Sequence, residues 1–202
     1  MSGHYRDQTD ASADPIAHGH AQGEPRSVGV EARLLDGLRQ RSQEALTMVV
    51  ERYGLMLTKA AWLYLADAHA AEDAVQETFL AAWDAAKRTT DHTCLRAWLF
   101  GILANHCRKH VRAATRRRRR ERLVAANRPV LAEADAAPLR LEALQKALGR
   151  LGDEHREVVI LRFWQGLSVE ETAAALGVPP GTVKSRCHAA IARLRHMLEA
   201  RR

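Results

Sequence analysis

Apolar residues recur along this chain at helical spacing, and no stretch alternates convincingly at the period of two that marks a strand. Leu46, Val49, Val50, Tyr53 and Leu57 stand at i, i+3, i+4, i+7 and i+11, one face of a helix. Further helical patterns run through residues 62–65, 73–85 and 95–112. Residues 1–30 lack the pattern; they are polar, rich in Gly, Ala, His and Asp, and are expected to be disordered. The pattern lapses again over residues 125–138, where Pro129, Pro138 and several alanines read as a linker. It resumes at Leu139 and continues to the C-terminus. The expected fold is all-α: one small helical domain over residues 31–124, a flexible linker, and a second over residues 139–202. No internal repeat is visible.

The second domain is the more explicit. Asp153 is placed to cap a helix carrying Val158, Val159, Leu161 and Trp164, with Gly166 at its end. Ser168 and Glu171 then have the spacing of a capping box for a short helix bearing Ala173, Ala174 and Leu176, which Gly177 breaks. Pro180 suits the first turn of the next helix, where its missing N–H costs nothing. That helix puts Val183, Cys187, Ala190, Ile191, Leu194 and Leu198 on one face, and Lys184, Ser185, His188 and Arg195 on the other. Two helices on a short glycine-containing turn, the second polar and basic on its outer face, form a helix-turn-helix over residues 168–194. In a major groove, Lys184 would reach guanine acceptors or a phosphate, and Ser185 and His188 base edges. Arg186 and Arg193 lie to one flank and suit phosphates.

Two segments of the first domain carry chemistry. The helix over residues 73–85 turns Val75, Phe79, Ala82 and Trp83 one way and Asp73, Glu77 and Asp84 the other. Leu80 lies beside the acids, as in a protein-docking surface. The helix over residues 95–112 has an apolar face of Leu95, Trp98, Leu99, Ile102 and Leu103. Gly101, Ala104, Asn105, Arg108 and Arg112 gather opposite, small enough for close approach and charged enough for a nucleic-acid backbone. Arg116 to Arg120 come next without interruption. Between Arg108 and Arg128 there are ten Lys or Arg against one acid, Glu121, a local excess larger than the whole chain's +7. A polyanionic partner bound with strong salt dependence is expected.

The remaining features exclude more than they add. The composition, 47% hydrophobic and 27% charged, is that of an ordinary globular protein. No apolar run approaches the roughly 20 residues of a bilayer span, and the N-terminus lacks a signal-peptide pattern, so a cytoplasmic location is expected. Three widely spaced cysteines, Cys94, Cys107 and Cys187, make neither a disulfide framework nor a zinc ribbon. His106 and His110 have i, i+4 spacing that can bind zinc, but no further ligands are evident nearby in sequence, and no metal or other cofactor is expected. No phosphate-binding glycine loop, metalloprotease motif or nucleophile elbow occurs, and no enzymatic activity or catalytic residue is expected.

Three segments, in this order, resemble sigma factors of the sigma-70 class, specifically the small extracytoplasmic-function (ECF) group. They are AEDAVQETFLAAW at residues 71–83, LRAWLFGILANHCRKHVR at residues 95–112, and LGDEHREVVILRFWQGLSVEETAAALGVPPGTVKSRCHAAIARLRHML at residues 151–198. The resemblance implies a region 2 type domain over residues 31–124 and a region 4 type helix-turn-helix domain over residues 139–202. It further implies that Asp73, Gln76, Glu77, Leu80 and Asp84 dock on the β′ clamp helices of core RNA polymerase. The β flap is the core contact expected for the second domain. Asn105, Arg108, Lys109 and Arg112 would touch promoter DNA on the −10 side, and the loop over residues 87–93 would capture a flipped base. Thr182, Lys184, Ser185, Arg186 and His188 would touch the −35 side. An anti-sigma partner is also implied. The competing expectation is a stand-alone helix-turn-helix regulator that binds duplex DNA without polymerase.

Overall fold

The computed structural model describes residues 25–90, 93–124 and 139–199, and every regular element among them is helical. Helices α1 (Pro25–Arg39), α2 (Gln43–Leu65) and α3 (Ala68–Ala85) lead through a 3-10 turn at Ala86–Arg88 to the long α4 (Leu95–Val124). Then come α5 (Leu139–Gly149), α6 (Asp153–Val159) with a π-helical turn at Ile160–Trp164, α7 (Val169–Leu176) and α8 (Pro180–Glu199). The first helix starts at Pro25, ahead of the expected residue 31. Expectations for residues 1–24 and for the linker over residues 125–138 lie outside the described residues.

Helix α2 is the axis of the first unit. Ser42 caps it, its Oγ accepting from the Ala45 N–H at 3.2 Å. Val49, Tyr53 and Leu57 of the predicted stripe are buried, and Ala60, Ala61 and Tyr64 extend it; Leu46 is half-buried, and Val50, expected on the same face, is exposed. Leu34, Leu35 and Leu38 of α1, Ala71, Ala74 and Val75 of α3, and Leu95, Leu99, Phe100 and Leu103 of α4 close around it. Asp67 caps α3 through the Ala70 N–H at 3.0 Å. Thr78, fully buried on α3, satisfies its hydroxyl by donating to Ala74 O at 2.6 Å.

The second unit has a small core of its own, Val158, Ala173, Val183 and Cys187. Its other buried apolar residues, Leu148, Leu151, Ile160, Leu161, Leu167 and Ala190, join the core of the first unit. The two expected domains thus lie packed together. Helix α7 seats on α4 at Gly101, where a Cβ would stand 2.5 Å from Ala175 O. Gln145 Nε2 donates to Trp62 O at 3.1 Å, Gln165 Nε2 to Met56 O at 3.3 Å, and Arg156 Nη1 to Tyr64 O at 2.9 Å.

Three local expectations change. Asp153 is not the cap of α6: Gly152 is, without a side-chain bond, and Asp153 sits in the first turn, where its charge still favours the helix N-terminus. The end of α6 widens into the π turn, with Gln165 N–H bonded to Ile160 O at 2.9 Å. The wider turn shifts the register of its last residues, so Trp164, expected on the buried face, is 44% exposed. The helix expected over residues 95–112 is longer: α4 continues through the arginine run to Val124.

Arg156 ties these pieces together. Its guanidinium donates to Leu148 O at 3.0 Å, which also accepts from Leu151 N–H, to Gly149 O at 3.3 Å and Leu151 O at 3.2 Å, at and just beyond the C-terminus of α5, as well as to Tyr64 O. The guanidinium carbon also stands 5.3 Å from the centre of the Tyr64 ring. Replacing it removes a donor from three part-buried carbonyls, Leu148 O, Leu151 O and Tyr64 O. Arg156→Ala should lower unfolding free energy by about 2–4 kcal/mol, read from the urea midpoint at unchanged slope.

Candidate polymerase and nucleic-acid interface

Helix α3 presents the predicted stripe. Its buried face is Ala71, Ala74, Val75, Thr78 and Ala82, and this orients Asp73, Gln76, Glu77, Leu80 and Asp84 outward. Leu80 is 67% exposed, an apolar side chain with little to bury it. Two of the three acids have basic neighbours. Asp84 lies 3.5 Å from Arg41 Nη1, and the Arg41 guanidinium also stands 5.1 Å from the Trp83 ring. Glu77 Oε2 is 2.6 Å from His106 Nδ1 and 3.6 Å from His110 Nε2 on α4. The spacing along the chain showed the histidine pair but not the carboxylate that faces it. Among the described residues no group of three or more His, Cys, Asp and Glu is arranged to hold a metal ion.

The loop after α3 is anchored at its start. Arg39 Nε donates to Thr89 Oγ1 at 3.1 Å and Nη2 to Thr89 O at 3.0 Å, while Thr90 N–H donates to Thr93 Oγ1 at 3.2 Å. Residues 91–92 lie outside the described residues.

On α4 the predicted DNA-side residues divide. Asn105 and Lys109 are exposed, as is Arg112. Gly101 and Ala104, expected to admit a nucleic-acid backbone, are buried, and the close approach at Gly101 is used by α7. Arg108 is engaged by the second unit: its Nη1 lies 3.1 Å from Glu157 Oε1 and 3.0 Å from Oε2. Its Nη2 also donates to Asn105 Oδ1. Glu157 is 2% exposed and accepts from Tyr64 OH at 2.9 Å. Burial raises the Glu157 carboxyl above its ordinary value, opposed by the Arg108 charge and the Tyr64 hydrogen bond. Burial also raises the Tyr64 phenol and, with Glu157 nearby, pushes the Cys107 thiol up to about 12. Glu157 is a residue that the sequence alone did not single out. A signal was present: it stands three and four residues before Ile160 and Leu161, on the apolar side of its own helix.

Beyond Arg112 the helix carries Arg116, Arg117, Arg119 and Arg120 exposed. Like charges a turn apart destabilise a helix by about 0.2–0.5 kcal/mol per pair, and a polyanion laid along it relieves that repulsion.

The helix-turn-helix forms as its sequence indicates. Glu171 N–H donates to Ser168 Oγ at 3.0 Å, and Ser168 N–H to Glu171 Oε2 at 2.6 Å, a reciprocal capping box. Gly177 ends α7 at φ 65°, a left-handed position that favours glycine. Val183, Cys187 and Ala190 are buried, which turns Lys184, Ser185 and His188 to solvent. Thr182 is half-buried, its carbonyl accepting from Ser185 Oγ at 3.0 Å. Arg186 lies on the flank toward α6, paired with Glu154 Oε2 at 2.8 Å. Arg193 Nη1 stands 3.1 Å from His155 Nδ1. Partial burial, then the Arg193 charge, holds His155 below its ordinary value.

These charges set two expected outcomes. Replacing Arg116, Arg117, Arg119 and Arg120 with Gln should reduce the slope of log affinity against log salt, measured by anisotropy on duplex DNA. The reduction should be about 0.9 for each phosphate no longer neutralised. Because the folded protein resists protonating His155, its contribution is retained above about pH 6.5 and lost as pH falls below that. Protection factors of the α6 and α8 amides, taken against the intrinsic exchange rate at each pH, should therefore fall on acidification through that value, and His155→Gln should flatten the response.

Comparison with known proteins agrees with this geometry. The family model described as "Sigma-70 region 2" matches residues 49–117, and "Sigma-70, region 4" matches residues 147–196. The RNA polymerase sigma factor CnrH of Cupriavidus metallidurans is 34% identical over 173 residues, covering 79% of this chain and 89% of that protein. The ECF RNA polymerase sigma factor SigL of Mycobacterium tuberculosis is 36% identical over 154 residues, covering 75% and 83%. Among solved structures, CnrH in complex with the cytosolic domain of CnrY superposes with a TM-score of 0.68 at 30% identity, over 84% of this chain and 97% of that one.

Proposed function

Given that this chain belongs to the sigma-70 family, within its ECF group, and is a promoter-directing sigma factor of RNA polymerase, we propose how its surfaces divide the work. The stripe of Asp73, Gln76, Glu77, Leu80 and Asp84 docks on the β′ clamp helices of the core enzyme. Leu80 supplies the apolar anchor and the acids choose a basic partner surface. Asn105, Arg108, Lys109 and Arg112 meet the −10 strand, and the loop over residues 87–93 receives a base turned out of the stack, at a cost of a few kcal/mol. Thr182, Lys184, Ser185, Arg186 and His188 read the −35 element, with the β flap holding their domain in place. Residues 31–124 and 139–202 act as the two readers, joined by residues 125–138.

The single observation that supports this division is an exposed leucine within an acidic stripe, on the same chain as a capped helix-turn-helix. A regulator that works without polymerase has no use for that stripe, and this second reading is not favoured. The sigma-70 family is not a class of enzymes, and catalysis would belong to the polymerase. No helix among the described residues is long and apolar enough to cross a membrane. The protein would act in the cytoplasm, where polymerase and promoter DNA are. Its solved relative CnrH is seen with CnrY; here too an anti-sigma partner would hold the protein in reserve.

Adding the purified protein to core polymerase and mapping start sites on genomic fragments tests the reading. New starts sharing −35 and −10 sequences are expected. Leu80→Ala and Asp73→Arg should each weaken core binding at least about tenfold. Both side chains are exposed, so stability should change by no more than about 0.5 kcal/mol. Tight specific DNA binding without polymerase, indifferent to Asp73→Arg, would overturn it.

A further inference from the structure

In this structure the two DNA-reading faces are not equally available. The outer face of α8, with Lys184, Ser185 and His188, is open to solvent. The α4 face is partly covered: α7 seats on Gly101, and α6 brings Glu157 to Arg108. We propose that Glu157 is an internal competitor for promoter DNA, its carboxylate occupying the Arg108 guanidinium that the −10 strand would otherwise engage, so that the closed protein is self-inhibited until α6 and α7 lift away from α4. The proposal rests on the reading of Arg108 as a −10 contact.

The chemistry of the site fits a competitor. A guanidinium binds carboxylate and phosphate through the same planar donors; with Glu157 on Nη1 and Asn105 on Nη2, a phosphate at those nitrogens must displace a partner already there. Glu157 approaches Arg108 through both oxygens, at 3.1 and 3.0 Å, with Tyr64 OH on Oε1 at 2.9 Å. The residues it meets, Tyr64 on α2 and Arg108 on α4, both belong to the first unit. A carboxylate placed to pair across a seam acts as a latch, since it becomes hydrated when the seam opens and is paired when the seam closes.

The seam also has a built-in reporter. A cavity of about 20 Å³, room for about one water, lies between α2, α4 and α6, lined by Tyr64, Cys107, Glu157, Ile160 and Leu161 among others. Cys107 is 1% exposed there. Departure of α6 would uncover its thiol, so its alkylation rate reads the open population.

Two variants open the seam by unrelated means. Glu157→Gln keeps the shape and the Tyr64 contact but removes the charge. Gly101→Ala leaves every charge in place and drives a Cβ to within 2.5 Å of Ala175 O, while favouring α4 itself, because alanine is the better helix former. Each should raise the rate of Cys107 alkylation, resolved by peptide mass, Glu157→Gln by about ten- to a hundredfold, the range expected when a charge-assisted hydrogen bond is removed. Each should also raise the affinity of the free protein for a short single-stranded oligonucleotide from the −10 region of a promoter mapped with the holoenzyme. Binding of a −35 duplex should stay unchanged. Unaltered alkylation in both variants would overturn the latch. Faster alkylation without tighter oligonucleotide binding would overturn the competition. Failure of the underlying reading looks different: Arg108→Ala would then leave open-complex formation by the holoenzyme untouched.

Discussion

Glu157 is 2% exposed, and an ionised carboxylate withdrawn from water costs several kcal/mol unless partners satisfy it. Its partners, Arg108 and Tyr64, lie across the seam from α6. The closed arrangement of the two units therefore depends on this one group being met. Once it is met, other seam contacts become possible: Gly101 accepts α7, Arg156 reaches from α6 to Tyr64 O, and Gln165 reaches Met56 O. Apolar burial supplies the bulk of the driving force, since Leu148, Ile160, Leu161 and Leu167 share a core with α2 and α4. The polar contacts fix which way round the units meet.

This dependence gives the surfaces unequal standing. The α3 stripe and the outer face of α8 are made by local structure, each by a helix whose buried face leaves no choice about what points outward. The α4 face is conditional, because Arg108, suited to DNA, is engaged by the second unit. A promoter-reading protein arranged so would meet its polymerase with docking stripe and −35 helix ready and the −10 side withheld.

The helices, their order and the helix-turn-helix were legible in the sequence because each rests on neighbours in the chain. Ser168 with Glu171, Gly177 and Pro180 act over a single turn, and the apolar stripe of α2 needs only periodicity. The stripe of Asp73, Glu77 and Leu80 was legible for the same reason. What failed was what depends on distant partners. The small residues Gly101 and Ala104 signalled close approach correctly, but spacing cannot say whether a phosphate backbone or another helix makes it. Glu77 facing His106 and His110, and Glu157 facing Arg108, are pairings between elements with no local signature. Trp164 was misplaced by the π turn, a one-residue change in register that a period of 3.6 does not reveal.

A protein closed when free is thus expected to work as two separated readers on polymerase. The most direct measurement is the distance between spin labels at Glu51→Cys on α2 and Ala192→Cys on α8, in a Cys94→Ser background. Both positions are exposed and lie outside the proposed docking and DNA-reading residues. Free protein should give a single short distribution, and the polymerase–promoter complex a single distribution displaced to longer distance. The same distribution in both states would contradict it.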